Sequence, residues 1–194
     1  MRLTTTADPH DLFAAERFLA AEARIAATFG RIEEAVAPLL RAMRATGRTT
    51  YATDPERGAI WGHAFLRPPY APDLAAEWFL AWGLRFPDGG TGWDGADPPL
   101  PRGVHALVAL GAGGEPQRRP RPLPSAGLPR GWSALDGEAA FLAVALPLEE
   151  FPAEPDAMAE ALAAWTLARL KDLRAALPGL AAGCGGDNRP AVPR

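Results

Sequence analysis

The residues able to do covalent chemistry in this chain are few and scattered. Its single cysteine, Cys184, lies in a glycine-rich tail without a neighbouring base to activate the thiol. Neither Ser125 nor Ser133 belongs to a Gly-x-Ser-x-Gly nucleophile motif. The one lysine, Lys171, lies among charged neighbours in a predicted helix. This inventory favours a protein that is not an enzyme.

The histidines do not form a metal signature. His10, His63 and His105 are too far apart for any zinc motif, so the sequence predicts neither a metal nor a cofactor. His63 and His105 lie in predicted strands and can approach each other. The acid–base candidates of an alternative, enzymatic interpretation are Asp54, Glu56 and His105.

Two predicted loops contain partial binding motifs, and neither motif is complete. The acidic, glycine-rich stretch DGGTGWDGAD at 88–97 lacks the spacing and closing glutamate of an EF-hand. The basic, proline-rich run QRRPRPLP at 117–124 has the composition of an extended docking segment, but a solvated loop explains it as well.

Two similar stretches, IWGHAFLRPPY at 60–70 and AWGLRFPDGG at 81–90, each contain Trp-Gly followed by an aromatic residue, an arginine and a proline. The simpler interpretation is two core strands, each with a glycine that marks a bulge or a close backbone approach. The alternative is a ligand cleft on a sheet face, whose aromatic walls and single cation suit a flat or anionic ligand. Its predicted ligand-binding residues are Trp61, His63, Trp82 and Arg85.

Four segments alternate or form short apolar runs between turn signals, and they predict four strands at 59–67, 78–86, 104–110 and 139–148. The segment 72–83 also fits a helix that opens at Pro72 and closes at Gly83. Large apolar residues on strictly alternate positions from Trp78 favour the strand.

A long helix is predicted at 8–47, with Pro9 at its start, Gly47 at its end, and Pro38 expected to kink or split it. Apolar residues recur along it at threes and fours, which forms one apolar stripe that is interrupted at Glu22. The stripe is the predicted partner interface, and it consists of Phe18, Ile25, Phe29, Ile32, Val36, Leu39 and Met43.

A second helix is predicted at 155–177, and the tail at 181–194 is predicted to be flexible. The expected fold is therefore α+β: a four-stranded antiparallel sheet flanked by the kinked N-terminal helix and the C-terminal helix. Residues 1–180 are expected to form one domain, with the sheet and its long Pro/Gly-rich loops at 59–148.

The charge and composition of the chain limit the kinds of partner that it is expected to bind. A net charge of −3 argues against nucleic acid, and no segment has the length and hydropathy of a membrane span. One cysteine fits a reducing cytoplasm, and the preference for arginine over lysine suggests a GC-rich bacterial genome. The sequence thus predicts a cytoplasmic bacterial interaction or regulatory module, which binds a protein partner or itself through the N-terminal helix.

Overall fold

The computed structural model describes residues 9–54, 59–67, 70–71, 77–86, 103–113, 129–134 and 140–184. Two helices begin and end this part of the chain, and the strands lie between them. The elements are α1 (Pro9–Ala42), β1 (Thr46–Asp54), β2 (Ala59–Phe65), β3 (Glu77–Arg85), β4 (His105–Gly113), β5 (Ser133–Ala134), β6 (Ala140–Pro147) and α2 (Pro155–Cys184). The predicted α+β class is confirmed.

The sheet is antiparallel between all neighbours, in the order β1-β2-β3-β4-β6-β5. In the described part of the chain it has five strands of seven to nine residues, and a sixth, the two-residue β5, extends one edge. The predicted number of four is therefore wrong. Two strands were missed: the edge strand β1, whose sequence TGRTTYATD has few apolar residues, and the two-residue β5.

Helix α1 is continuous and retains Pro38 within it, but it ends at Ala42 and not at Gly47. Arg44 adopts the left-handed conformation with φ of 54°. Its N–H donates to the carbonyl of Arg41, and the N–H of Ala45 donates to that of Leu40, at 3.0 Å each. These two bonds form a Schellman motif, which satisfies the last carbonyls of the helix and turns the chain into β1.

The main core lies between the helices and one face of the sheet, which we call the inner face. Trp78, Leu80 and Trp82 alternate along β3 on this face and are fully buried. This alternation confirms the strand over the competing helix, whose first residues, 72–76, lie outside the described ranges. Leu142 and Val144 of β6 join the same core.

The two helices run in the same direction. At the start of α2, Asp156 pairs with Arg31 of α1 at 2.7 Å. Farther along α2, Arg174 contacts Tyr70, which follows β2 in the chain. The end of β2 lies near the end of α1, because Phe65 of β2 pairs with Thr46, which comes just after α1. Because α2 proceeds from the middle of α1 towards its C-terminal end, the part of α1 that precedes Arg31 extends past the start of α2.

Helix α2 begins at Pro155 as predicted, with Glu154 as its N-cap. The Glu154 carboxylate accepts hydrogen bonds from the N–H groups of Asp156 and Ala157, at 3.2 and 2.7 Å. The helix continues through Pro178 to Cys184, beyond the predicted end at 177, so residues 181–184 are helical. Residues 185–194 of the predicted tail lie outside the described ranges. Within those ranges, no helix has the length and apolar character needed to span a membrane.

Candidate functional site

The two Trp-Gly dipeptides face each other across β2 and β3. Trp61 lies opposite Gly83, and Gly62 lies opposite Trp82. A Cβ added to Gly62 would lie 2.6 Å from the Trp82 indole nitrogen, and one added to Gly83 would lie 2.7 Å from the Trp61 Cα. Each glycine therefore holds a position where the opposite strand approaches too closely for a side chain.

This register separates the predicted ligand-binding residues. Successive residues of a strand face opposite sides, so Trp82 lies on the inner face, where it is fully buried beneath the helices. Trp61, His63 and Arg85 share the other face, which we call the outer face. The structure brings three of the four residues to one face and buries the fourth in the core.

The outer face carries a row of aromatic rings, the aromatic strip, along β2 and onto β3. The Trp61 and His63 rings are 5.5 Å apart, as are those of His63 and Phe65, and Phe79 meets Trp61 edge-on at 6.2 Å. All four side chains are partly exposed. Such rings present a polarisable surface for flat or apolar groups.

Next to the aromatic strip, mostly small apolar side chains cover the central strands of the outer face. Ala81, Leu107, Ala109 and Ala143 form a second buried cluster, to which neither helix contributes a residue. An antiparallel sheet with helices on one face commonly exposes polar residues on the other. Here both faces are apolar across the central strands, which marks the outer face as a candidate binding surface.

His63 lies at the centre of the aromatic strip. Burial disfavours its charged form and lowers its pKa below the ordinary value of 6.5. Its Nδ1 is shielded from solvent and has no hydrogen-bond partner among the residues that the structure describes. At neutral pH the imidazole is therefore uncharged, and the strip carries no cation of its own.

His105 lies at one end of the outer face, directly opposite Arg85, and is only 2% exposed. Its Nδ1 is 2.9 Å from the Gly103 carbonyl, which can only accept a hydrogen bond, so Nδ1 is the donor. The Nε2 atom is buried and has no hydrogen-bond partner within the described ranges.

No three histidine, cysteine or acidic side chains in the described ranges are grouped closely enough to hold a metal ion. The side chain of Asp54, Glu56, Ser125 and the loops 88–97 and 117–124 lie outside what the structure describes. The acid–base roles of Asp54 and Glu56 therefore stay predictions.

Most of the predicted interface stripe of α1 is occupied within the chain. Five of its side chains are buried in the chain's own packing, namely Phe29, Ile32, Val36, Leu39 and Met43. Ile25 is half-buried, and the side chain of Phe18 lies outside the described residues. Four of them belong to the main core, and the Phe29 ring lies 5.6 Å from that of Tyr51 in β1, so all five are covered within the chain.

The N-terminal part of α1 is packed differently. None of its described side chains before Phe29 is buried, and Phe13 and Leu19 are 61% and 62% exposed. We call residues 13–28 the free end of α1. At 1.5 Å per residue, this segment extends about 24 Å. It therefore presents an apolar helical surface that the rest of the described chain leaves open.

Sequence reasoning missed Phe13 and Leu19, because both lie off the apolar stripe. A signal for them was present in the segment LFAAERFLAAEARIAATF at 12–29, which contains four charged residues in 18. A helix that is apolar on most of its circumference is typically buried. The stripe alone therefore understated the apolar surface of this segment.

Comparison with models of known families, with curated proteins and with solved structures found no match.

Proposed function

We propose that the protein is a non-enzymatic interaction module of the bacterial cytoplasm, and that its interface is the free end of α1. The observation that carries this proposal is the exposure of Phe13 and Leu19, the large apolar side chains exposed in the described part of the chain. Both lie on the helical segment that extends past α2.

The energetics favour a partner at this segment. Fully burying a leucine or phenylalanine side chain contributes about 1.5–3 kcal/mol, so covering Phe13 and Leu19 would stabilise a complex substantially. A helix of this length is marginal in water without tertiary packing. A partner that covers the free end would therefore stabilise the helix as well as hide its apolar surface.

The non-enzymatic part of the proposal rests on the composition of the chain. The nucleophiles lack activating motifs, and the one lysine lies on α2, exposed to solvent. The cytoplasmic and bacterial parts rest on the single cysteine and on the preference for arginine.

Affinity capture from the host tests the proposal with three tagged baits. The wild type is compared with the double variant Phe13→Arg, Leu19→Arg, and with Ala164→Arg at an exposed position of α2 as the matched control. We expect the wild type to recover a stoichiometric partner, either another protein or an untagged copy of this chain. The double variant should lose this partner, and the control should retain it. Equal recovery with all three baits would refute the free end as the interface.

A second candidate function is the binding of a small ligand on the outer face of the sheet. The partly exposed aromatic strip favours it. The occupant would be a flat, largely apolar molecule that stacks on these rings. Trp61, His63 and Arg85 of the predicted site would lie around it.

Mass spectrometry of the freshly purified protein tests this candidate. Under non-denaturing conditions a bound ligand adds mass that disappears on denaturation. Trp61→Ala should lose the added mass, whereas Trp165→Ala on α2 should keep it. A wild-type protein with no added mass, and with a tryptophan emission that a panel of flat aromatic alcohols leaves unchanged, would argue against a ligand on this face.

A further inference from the structure

We propose that the partner of the free end of α1 is the free end of a second copy, paired antiparallel across Ala20. This inference rests on the proposed function and names its partner. It begins from one row of exposed residues at helical spacings of three and four, which we call the free face: Phe13, Glu16, Ala20, Arg24 and Ala27.

The free face is complementary to itself in the antiparallel direction. With the two-fold axis at Ala20, Glu16 of one copy lies opposite Arg24 of the other, and the same pair forms again on the far side of the axis. Phe13 lies opposite Ala27, so that a large side chain meets a small one at both ends. A two-fold interface requires this reciprocity, in which each contact occurs twice.

The small side chain at the centre suits a close crossing. Helices pack at 8–10 Å depending on the side chains at the contact, and alanine allows the shorter distance. A parallel pairing would instead place Glu16 beside Glu16 and Arg24 beside Arg24, so that like charges would meet. The charge pattern therefore selects the antiparallel arrangement.

The packing of the chain leaves space for this pairing. Residues 13–28 extend past the start of α2 at Pro155, and the last ion pairs between the helices join Arg31 to Asp156 and Glu160. In the described part of the chain all five side chains of the free face are exposed, so a second copy can lie along it. The contact is short, so we expect association in the micromolar range.

Sedimentation equilibrium of the full chain over about 1–200 µM tests the inference. The wild type should approach twice its mass of 20.5 kDa as the concentration rises. Ala20→Glu places two like charges at the axis and should raise the dimer dissociation constant at least about 100-fold. Ala164→Glu, an exposed alanine of α2, should leave it unchanged.

Charge reversal tests the orientation. Glu16→Arg alone should weaken the dimer about tenfold, and the double variant Glu16→Arg, Arg24→Glu should restore it. Circular dichroism of every variant verifies folding. A dimer that Ala20→Glu does not weaken, or a double reversal that fails to restore association, would overturn this pairing. A wild type that stays monomeric would overturn self-association, and affinity capture would then decide whether the free end binds another protein.

Discussion

Gly62→Ala tests the register that separates the two tryptophans. The new Cβ would lie 2.5 Å from the Thr50 carbonyl oxygen and 2.6 Å from the Trp82 indole nitrogen, whereas ordinary contacts begin at 3.4 Å. Both neighbours are constrained, because Thr50 belongs to β1 and Trp82 is fully buried. Overpacking of this kind costs about 1–3 kcal/mol, and two rigid neighbours place the expected cost at about 3 kcal/mol.

Thermal unfolding followed by circular dichroism measures this cost. For a chain of this size we expect the midpoint to fall by about 6–12 °C. Gly30→Ala is the matched control, because a Cβ there meets nothing within 4 Å in the middle of α1. It should stabilise the protein by about 0.5–1 kcal/mol. If Gly62→Ala unfolds at the wild-type temperature while Gly30→Ala raises it, then Trp82 does not pack over Gly62.

Three further substitutions probe helix ends and the aromatic strip. Arg44→Gly should stabilise the protein by about 1 kcal/mol, because glycine adopts the left-handed conformation without the steric cost that arginine bears. A lower unfolding midpoint for this variant would contradict the Schellman motif. Glu154→Ala should destabilise the protein by about 0.5–2 kcal/mol, because the N-cap of α2 is lost. Glu34→Ala, at an exposed position of α1, should leave the unfolding midpoint nearly unchanged. Equal midpoints for the two variants would mean that the cap contributes nothing. The pKa of His63 is lowered by burial, so the unfolded state binds more protons just below pH 6.5, and stability should fall as the pH drops through that value. Chemical denaturation at a series of pH values should show a smaller fall for His63→Gln, and identical pH profiles would place His63 in water.

Periodicity predicted the elements whose apolar residues repeat regularly. The strand that contains Trp78 was recognised because its large side chains alternate, and α2 because its apolar face lies between Pro155 and a later Pro-Gly. The edge strand β1 gave no such signal, because its residues are mainly polar and only one side pairs. Helix α2 also continues through Pro178, although proline usually ends a helix.

Which face each tryptophan occupies depends on the register between strands, which one sequence does not specify. A shift by one residue would place Trp61 opposite Trp82, with both on the same face. Likewise, the exposure of Phe13 and Leu19 depends on where α2 begins along α1, and the helical period of α1 does not contain that information.

Amide hydrogen exchange of α1 in the full-length protein, at dilute and at concentrated conditions, tests the free end as an interface most directly. An uncovered helical segment opens easily, so residues 13–28 should exchange fast in dilute protein. At high concentration we predict protection of these residues centred on Ala20, with no change in α2 or β3. Equal exchange of residues 13–28 at both concentrations, in a protein whose core remains protected, would contradict pairing through the free end of α1.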